Sequence, residues 1–123
     1  MVKVLIVDDE PDIRRIAKLS LSRVGGMEVV EAANGAEALV RAKADKPDAV
    51  LLDVMMPGLD GPSTLARLRE DPATSGIPVV FLTAKAIAAE RERLKVLGAA
   101  GVLTKPFDPM TLARELRALL GIS

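Results

Sequence analysis

Apolar residues fall into five short runs along the chain, separated by longer stretches with the period of a helix. The runs are Val2–Val7 (interrupted by Lys3), Met27–Ala32, Ala49–Leu52, Val79–Leu82 and Val102–Leu103. Three are rich in Val, Ile or Leu with little polar alternation, the pattern of strands covered on both faces. Helix signals lie between them. Pro11 suits the first turn of a helix with Ile13, Ile16, Ala17 and Leu21 on one face, ending near Gly25-Gly26. Asn34 with Glu37 resembles a capping box for a second helix, with Asn in place of the usual Ser or Thr. Asp60-Gly61 precedes a third helix through Leu65 and Leu68. Ala86–Leu97 reads as a fourth, closed by Gly98, and Asp108-Pro109 caps a fifth carrying Leu112, Leu116 and Leu119.

The order is β-α repeated five times. Connections that contain a helix imply parallel strands, right-handed crossovers and a helix-covered sheet. The expectation is a single α/β domain over residues 1–123, with no linker or low-complexity stretch.

Composition narrows the chemistry. A chain of 123 residues that is 50% hydrophobic supplies one real core. Lys+Arg and Asp+Glu balance at 17 each, which argues against a nucleic-acid face built by bulk charge. There is no Cys, hence no disulfide or thiolate metal site, and no His, hence no imidazole base or zinc ligand. No apolar run approaches the roughly 20 residues that span a bilayer, so a soluble, cytoplasmic protein with no membrane contact is expected. Chemistry must rest on carboxylates, lysines, hydroxyls and bound metal.

The informative feature is where the apolar runs stop. The first ends in Asp8-Asp9, the third in Asp53 and the fourth in Thr83, and Lys105 follows the fifth. In a parallel sheet these ends gather on one edge, where open α/β sheets bind ligands. Three carboxylates brought together repel, and one lysine cannot neutralise them. A hard cation bound through oxygen relieves the excess, and Mg²⁺ suits a few carboxylates while keeping places for phosphate oxygens. A carboxylate can also act as a nucleophile toward phosphorus, a reaction that needs positioning and charge stabilisation rather than a histidine base. Taken singly these residues have plainer readings. Adjacent acids are common helix caps, Thr83 reads as a strand-end residue and Lys105 as a surface lysine. Glu10 reads as a solvated helix-start residue and Glu90–Arg93 as a solvated helix face.

Four segments in order carry a family resemblance: VLIVDDEP at Val4–Pro11, LLDVMMPGLDG at Leu51–Gly61, VVFLTA at Val79–Ala84 and TKPF at Thr104–Phe107. Together they resemble the receiver domains of two-component response regulators, over essentially the whole chain. The resemblance implies a flavodoxin-like (βα)5 three-layer sandwich with strand order 2-1-3-4-5. It implies that Asp53 accepts a phosphoryl group and that Mg²⁺ is bound by Asp9 directly, by Asp8 mainly through water, by Asp53 and by the backbone carbonyl of Met55. Lys105 would pair with Asp53 and then with a phosphoryl oxygen. Thr83 and the backbone N–H of Ala84 would donate to the phosphoryl group, and the Lys105-Pro106 bond would be cis. The implied partners are a histidine kinase or histidine phosphotransfer protein, and an effector bound through the last two helices and last strand. Such a chain is not a turnover enzyme, since it assists only its own phosphorylation and dephosphorylation.

The sequence departs from the family pattern in places. Val102 stands where receivers usually carry Tyr or Phe, three residues before the lysine, so coupling between Thr83 and a mobile ring is not expected. Ala99-Ala100-Gly101 replaces the acids found in members that dimerise through this face, and a monomer or weak dimer is expected. Apolar Met55, with Lys85, sits where the family tunes access of hydrolytic water, which implies a long-lived phosphoryl group. The chain ends at Gly121-Ile122-Ser123, so it acts through reversible protein binding or is one domain of a longer protein. Other readings remain: an aspartyl-nucleophile phosphatase, a flavin mononucleotide protein, or a receiver used only for docking. The first would want a second Asp at Met55, and Asp8-Asp9-Glu10 would repel the phosphate of the second. The intact polar set argues against the third.

Overall fold

Successive side chains of a strand point to opposite sides, and here both sides are covered. The structure is a computed structural model that describes residues 1–85 and 87–122. Five strands, β1 (Lys3–Val7), β2 (Glu28–Ala32), β3 (Ala49–Asp53), β4 (Val79–Thr83) and β5 (Gly101–Thr104), pair in parallel in the order 2-1-3-4-5. On one side Leu5, Val7, Val50, Leu52, Val79 and Phe81 pack with Ala38 and Ala42 of α2 (Gly35–Asp45), Leu65 and Leu68 of α3 (Gly61–Glu70) and Leu94 of α4 (Ala88–Val96). On the other, Val4, Ile6, Leu51, Val80 and Leu82 meet Ala17 of α1 (Pro11–Leu19), Leu21 just beyond it, and Leu112, Ala113 and Leu116 of α5 (Leu112–Leu120). Each fully buried Leu, Val or Phe contributes about 1.5–3 kcal/mol, so these two apolar layers dominate the folding energy. This is the helix-covered parallel sheet that the alternating pattern predicts, in the three-layer form and strand order that the family resemblance implies.

Local chemistry sets the element ends. Asn34 and Asp60 cap α2 and α3, their Oδ1 atoms accepting the N–H groups of Glu37 and Ser63 at 2.8 Å each. The first helix does end near Gly25-Gly26, but its last turn, Ser20–Val24, is π-helical. There the Gly25 N–H reaches the Ser20 carbonyl, while the Ser20 hydroxyl donates to the Pro109 carbonyl and the Ser22 hydroxyl to the Lys18 carbonyl. Ile16 does not join the buried stripe and is 43% exposed. It lies about 100° around the helix from Ala17, outside the arc that Ile13 and Ala17 share. The fourth helix is shorter than expected, Ala88–Val96, with Leu97 as its C-cap and Gly98 at φ 107°; the expected start at Ala86 lies outside the described residues. The fifth begins at Leu112, because Asp108 caps a preceding turn and not the helix itself. Its Oδ1 accepts from Met110 N–H, and its carbonyl accepts from the N–H groups of both Thr111 and Leu112.

Gly61 ties the fold to the strand ends. A Cβ there would sit 2.4 Å from the Asp53 carbonyl oxygen and 2.8 Å from Val54 Cα, so α3 can start this close to β3 only without a side chain. Gly61→Ala is expected to lower stability by about 1–3 kcal/mol, seen as a lower urea midpoint with an unchanged slope. An unchanged midpoint would show that the 53–54 backbone yields freely.

Candidate functional site

The polar residues that end the apolar runs are carried to one edge of the sheet, beside the switch point between β1 and β3. Asp8 follows β1 and is fully buried. Its N–H donates to the Ala32 carbonyl at 3.2 Å, prolonging the ladder with β2, and its Oδ1 accepts the Glu10 N–H at 2.9 Å. Asp9 is the more open neighbour. Asp53 is the last residue of β3, 4% exposed, and its Oδ1 accepts the Met55 N–H at 3.4 Å. Carboxylate oxygens of Asp8, Asp9 and Asp53 lie within 4.8 Å of one another.

Lys105 enters this cluster from beyond β5. Its N–H donates to the Thr83 carbonyl at 2.8 Å, extending the β4–β5 pairing by one residue, and the Lys105-Pro106 bond is cis, as the resemblance implies. The ammonium lies 2.9 Å from Asp8 Oδ2, 3.3 Å from Asp53 Oδ1 and 3.7 Å from Glu10 Oε1. Glu10 is the N-cap residue of α1 and stays largely exposed, as a solvated helix start does, with its carboxylate at the rim of the cluster. Thr83 ends β4 and is buried, and its Oγ1 accepts the Lys85 N–H at 3.1 Å, leaving the hydroxyl proton available to donate. Ala84, next in the chain, is exposed, and so is the side chain of Met55.

The electrostatics follow from this crowding. Burial, then the nearby Asp8 charge, raises the pKa of Asp53 from 3.8 to about 6, against the opposing pull of the Lys105 ammonium and the Met55 N–H. Asp53 therefore remains mainly ionised at pH 7. Burial works against the charge of Lys105, but its contacts with Asp8 and Asp53 outweigh it, and its pKa rises.

These residues fit a hard divalent cation. Asp8 Oδ2 is buried and, despite the ammonium nearby, accepts no well-formed hydrogen bond from the described residues, so acceptor capacity is left over. Among the described residues one ammonium faces the carboxylates of Asp8, Asp53 and Glu10, with Asp9 close by. An all-oxygen donor set with surplus negative charge is what Mg²⁺ takes.

Arg14, which no motif singles out, also belongs to this edge, its Nη1 donating to the Asp8 carbonyl at 2.6 Å. No local signal distinguishes it, since Arg15 beside it is equally basic and is simply exposed. Val102 is buried in the core layer with Phe81 and Leu94, packing where a ring is usual.

Residues 4–117 match the response regulator receiver domain family. The chain is 46% identical over 118 residues to the probable transcriptional regulator ycf27 of Cyanophora paradoxa, covering 96% of this chain and 48% of that protein. It therefore spans about half the length of such relatives. With Protein PilH of Pseudomonas aeruginosa it shares 39% identity over 121 residues, 98% of each. The chemotaxis protein CheY4 of Vibrio cholerae superposes with a TM-score of 0.89 at 35% identity, over 97% of this chain and 98% of that one. The chain belongs to the receiver domains of response regulators of two-component signalling. Among the described residues no helix is long and apolar enough to cross a membrane.

Because Asp53 binds its proton more tightly in the folded chain, the stability it contributes is full below pH 4 and is lost as pH rises through 6. Without divalent cation, Asp53→Asn should therefore be more stable than wild type above pH 6, by about 3 kcal/mol at most, and the gap should close toward pH 4. Urea unfolding across this range checks the sign; a gap that widens on acidification would contradict it.

Proposed function

We propose that the chain is a phosphorylation-driven switch in which Asp53 takes a phosphoryl group from a partner histidine. The observation that carries this is the buried Asp53 carboxylate at a strand end, within ion-pair reach of Lys105 and beside two further carboxylates. The phosphorus–nitrogen bond of the donor breaks as the Asp53 oxygen–phosphorus bond forms, and the imidazole leaves with its electron pair. No proton has to leave Asp53 first at neutral pH. Lys105, freed from Asp53 as that carboxylate becomes an acyl phosphate, turns its ammonium to a phosphoryl oxygen. The Thr83 hydroxyl and the Ala84 N–H donate to the remaining oxygens.

Asp8, Asp9, Asp53 and the Met55 carbonyl would hold Mg²⁺, which supplies neutralisation of the charge crowded around the transferring group. The partners by this reading are a histidine kinase or histidine phosphotransfer protein upstream and an effector protein downstream. The effector meets the face of α4, β5 and α5, with the chain working in the cytoplasm as a monomer or weak dimer. With Val102 locked in the core, output runs through the segment after Thr83 and through α4.

Incubation with acetyl phosphate and Mg²⁺ should add one phosphoryl mass, absent in Asp53→Asn and without Mg²⁺; labelling that persists in either case sinks the mechanism. Mg²⁺ should also raise the melting temperature of wild type, since it binds only the folded state, and not that of Asp9→Ala. Apolar Met55 should keep the phosphoryl group for far longer than seconds, and Met55→Asn should shorten its half-life by admitting water. Equal decay in the two proteins, followed by intact mass, would remove Met55 from that role.

A further inference from the structure

Arg14 stands on α1 and reaches back over the start of its own helix. Its Nη1 donates to the Asp8 carbonyl at 2.6 Å, and its Nε lies 3.6 Å from Glu31 Oε1 on β2. The side chain is 18% exposed, so these contacts are largely shielded from water. Glu31 faces Ile6 in the β1–β2 register and also pairs with Lys18 at 3.5 Å. The guanidinium therefore bridges the acidic turn to a fixed point on the neighbouring strand.

We propose that Arg14 is a positioning residue that holds the Asp8–Asp9 peptide so that both carboxylates face Asp53 before a cation arrives. The Asp8 carbonyl belongs to the peptide that leads into Asp9, so its direction sets where the Asp9 side chain begins. That turn carries mutually repelling acids beyond the end of β1, and repulsion alone would swing the more open Asp9 outward. A charge-assisted bond to the carbonyl opposes the swing without occupying a carboxylate oxygen. A planar guanidinium can meet the carbonyl and Glu31 together, whereas an ammonium meets them only as a point charge. Ligand orientation by such outer partners is commonly worth about 10–100-fold in metal affinity.

This inference rests on the reading of the acidic cluster as a Mg²⁺ site. Arg14 acts on that affinity in two opposed ways. Its charge repels a cation, though the Glu31 carboxylate offsets this, while its hydrogen bond orders the ligands. The positioning effect is the larger. Calorimetric titration of Mg²⁺ into folded wild type, Arg14→Lys, Arg14→Ala and Lys18→Ala separates them, with urea unfolding confirming that each variant is folded. Both Arg14 variants should bind about tenfold more weakly, and Lys18→Ala, which removes the other partner of Glu31, should bind as wild type does.

Arg14→Lys with wild-type affinity, or Arg14→Ala with tighter binding, would make Arg14 a mere charge and overturn the proposal. Equal weakening in Lys18→Ala would overturn it too, by assigning the effect to loss of surface cations. Should Arg14→Ala not fold, Arg14→Lys decides alone, because it keeps the charge and most of the packing stem. A wild type that binds no Mg²⁺ would instead overturn the underlying site assignment.

Discussion

Five parallel strands that must be covered on both faces are the constraint from which the rest of this molecule follows. Val4 and Ile6 of β1 point to one apolar layer, and Leu5 and Val7 to the other. A parallel neighbour cannot be reached by a tight hairpin, so each return path has the length to hold a helix, and those helices supply the covering layers. All strands then point one way, and whatever follows each apolar run is delivered to the same edge. The acidic cluster is a consequence of that burial.

At that edge the energetics reverse. The interior layers are satisfied by apolar contact, whereas Asp8 and Asp53 are carboxylates held in nearly water-free surroundings. Among the described residues a single ammonium, Lys105, lies between them at 2.9 and 3.3 Å and leaves Asp8 Oδ2 without a well-formed hydrogen bond. The raised pKa of Asp53 measures how incomplete the compensation is. Such a site is poised rather than stable, because its charges are only partly compensated. The position of Lys105 depends in turn on backbone pairing, since its N–H continues the ladder to Thr83.

Most of this was legible along the chain because it depends on period and on run ends. Strand existence and parallel order follow from short apolar runs alternating with helical stretches. Asp8, Asp9, Asp53, Thr83 and Lys105 stand out because each closes or follows such a run. The misplacements are of another kind. Ile16 repeats at helical spacing yet lies exposed, because periodicity gives a stripe but not its width. The π-helical last turn arises where the Ser20 hydroxyl finds the Pro109 carbonyl, 89 residues away, a contact no local window contains. The start of α5 moved because Asp108 can cap a turn as readily as a helix.

The sequence by itself determined the fold class, the strand order through the family it resembles, and the residue types available for chemistry. Those depend on local pattern and on which side chains exist at all. Only the tertiary structure decided how the charges meet: that Lys105 reaches Asp8, Glu10 and Asp53 together, that Val102 is packed into the core, and that Arg14 grips the Asp8 carbonyl. The reason is geometric. Distances of 2.6 to 3.7 Å between groups on different elements are set by how helices seat on the sheet, and that seating is a property of the whole packed core.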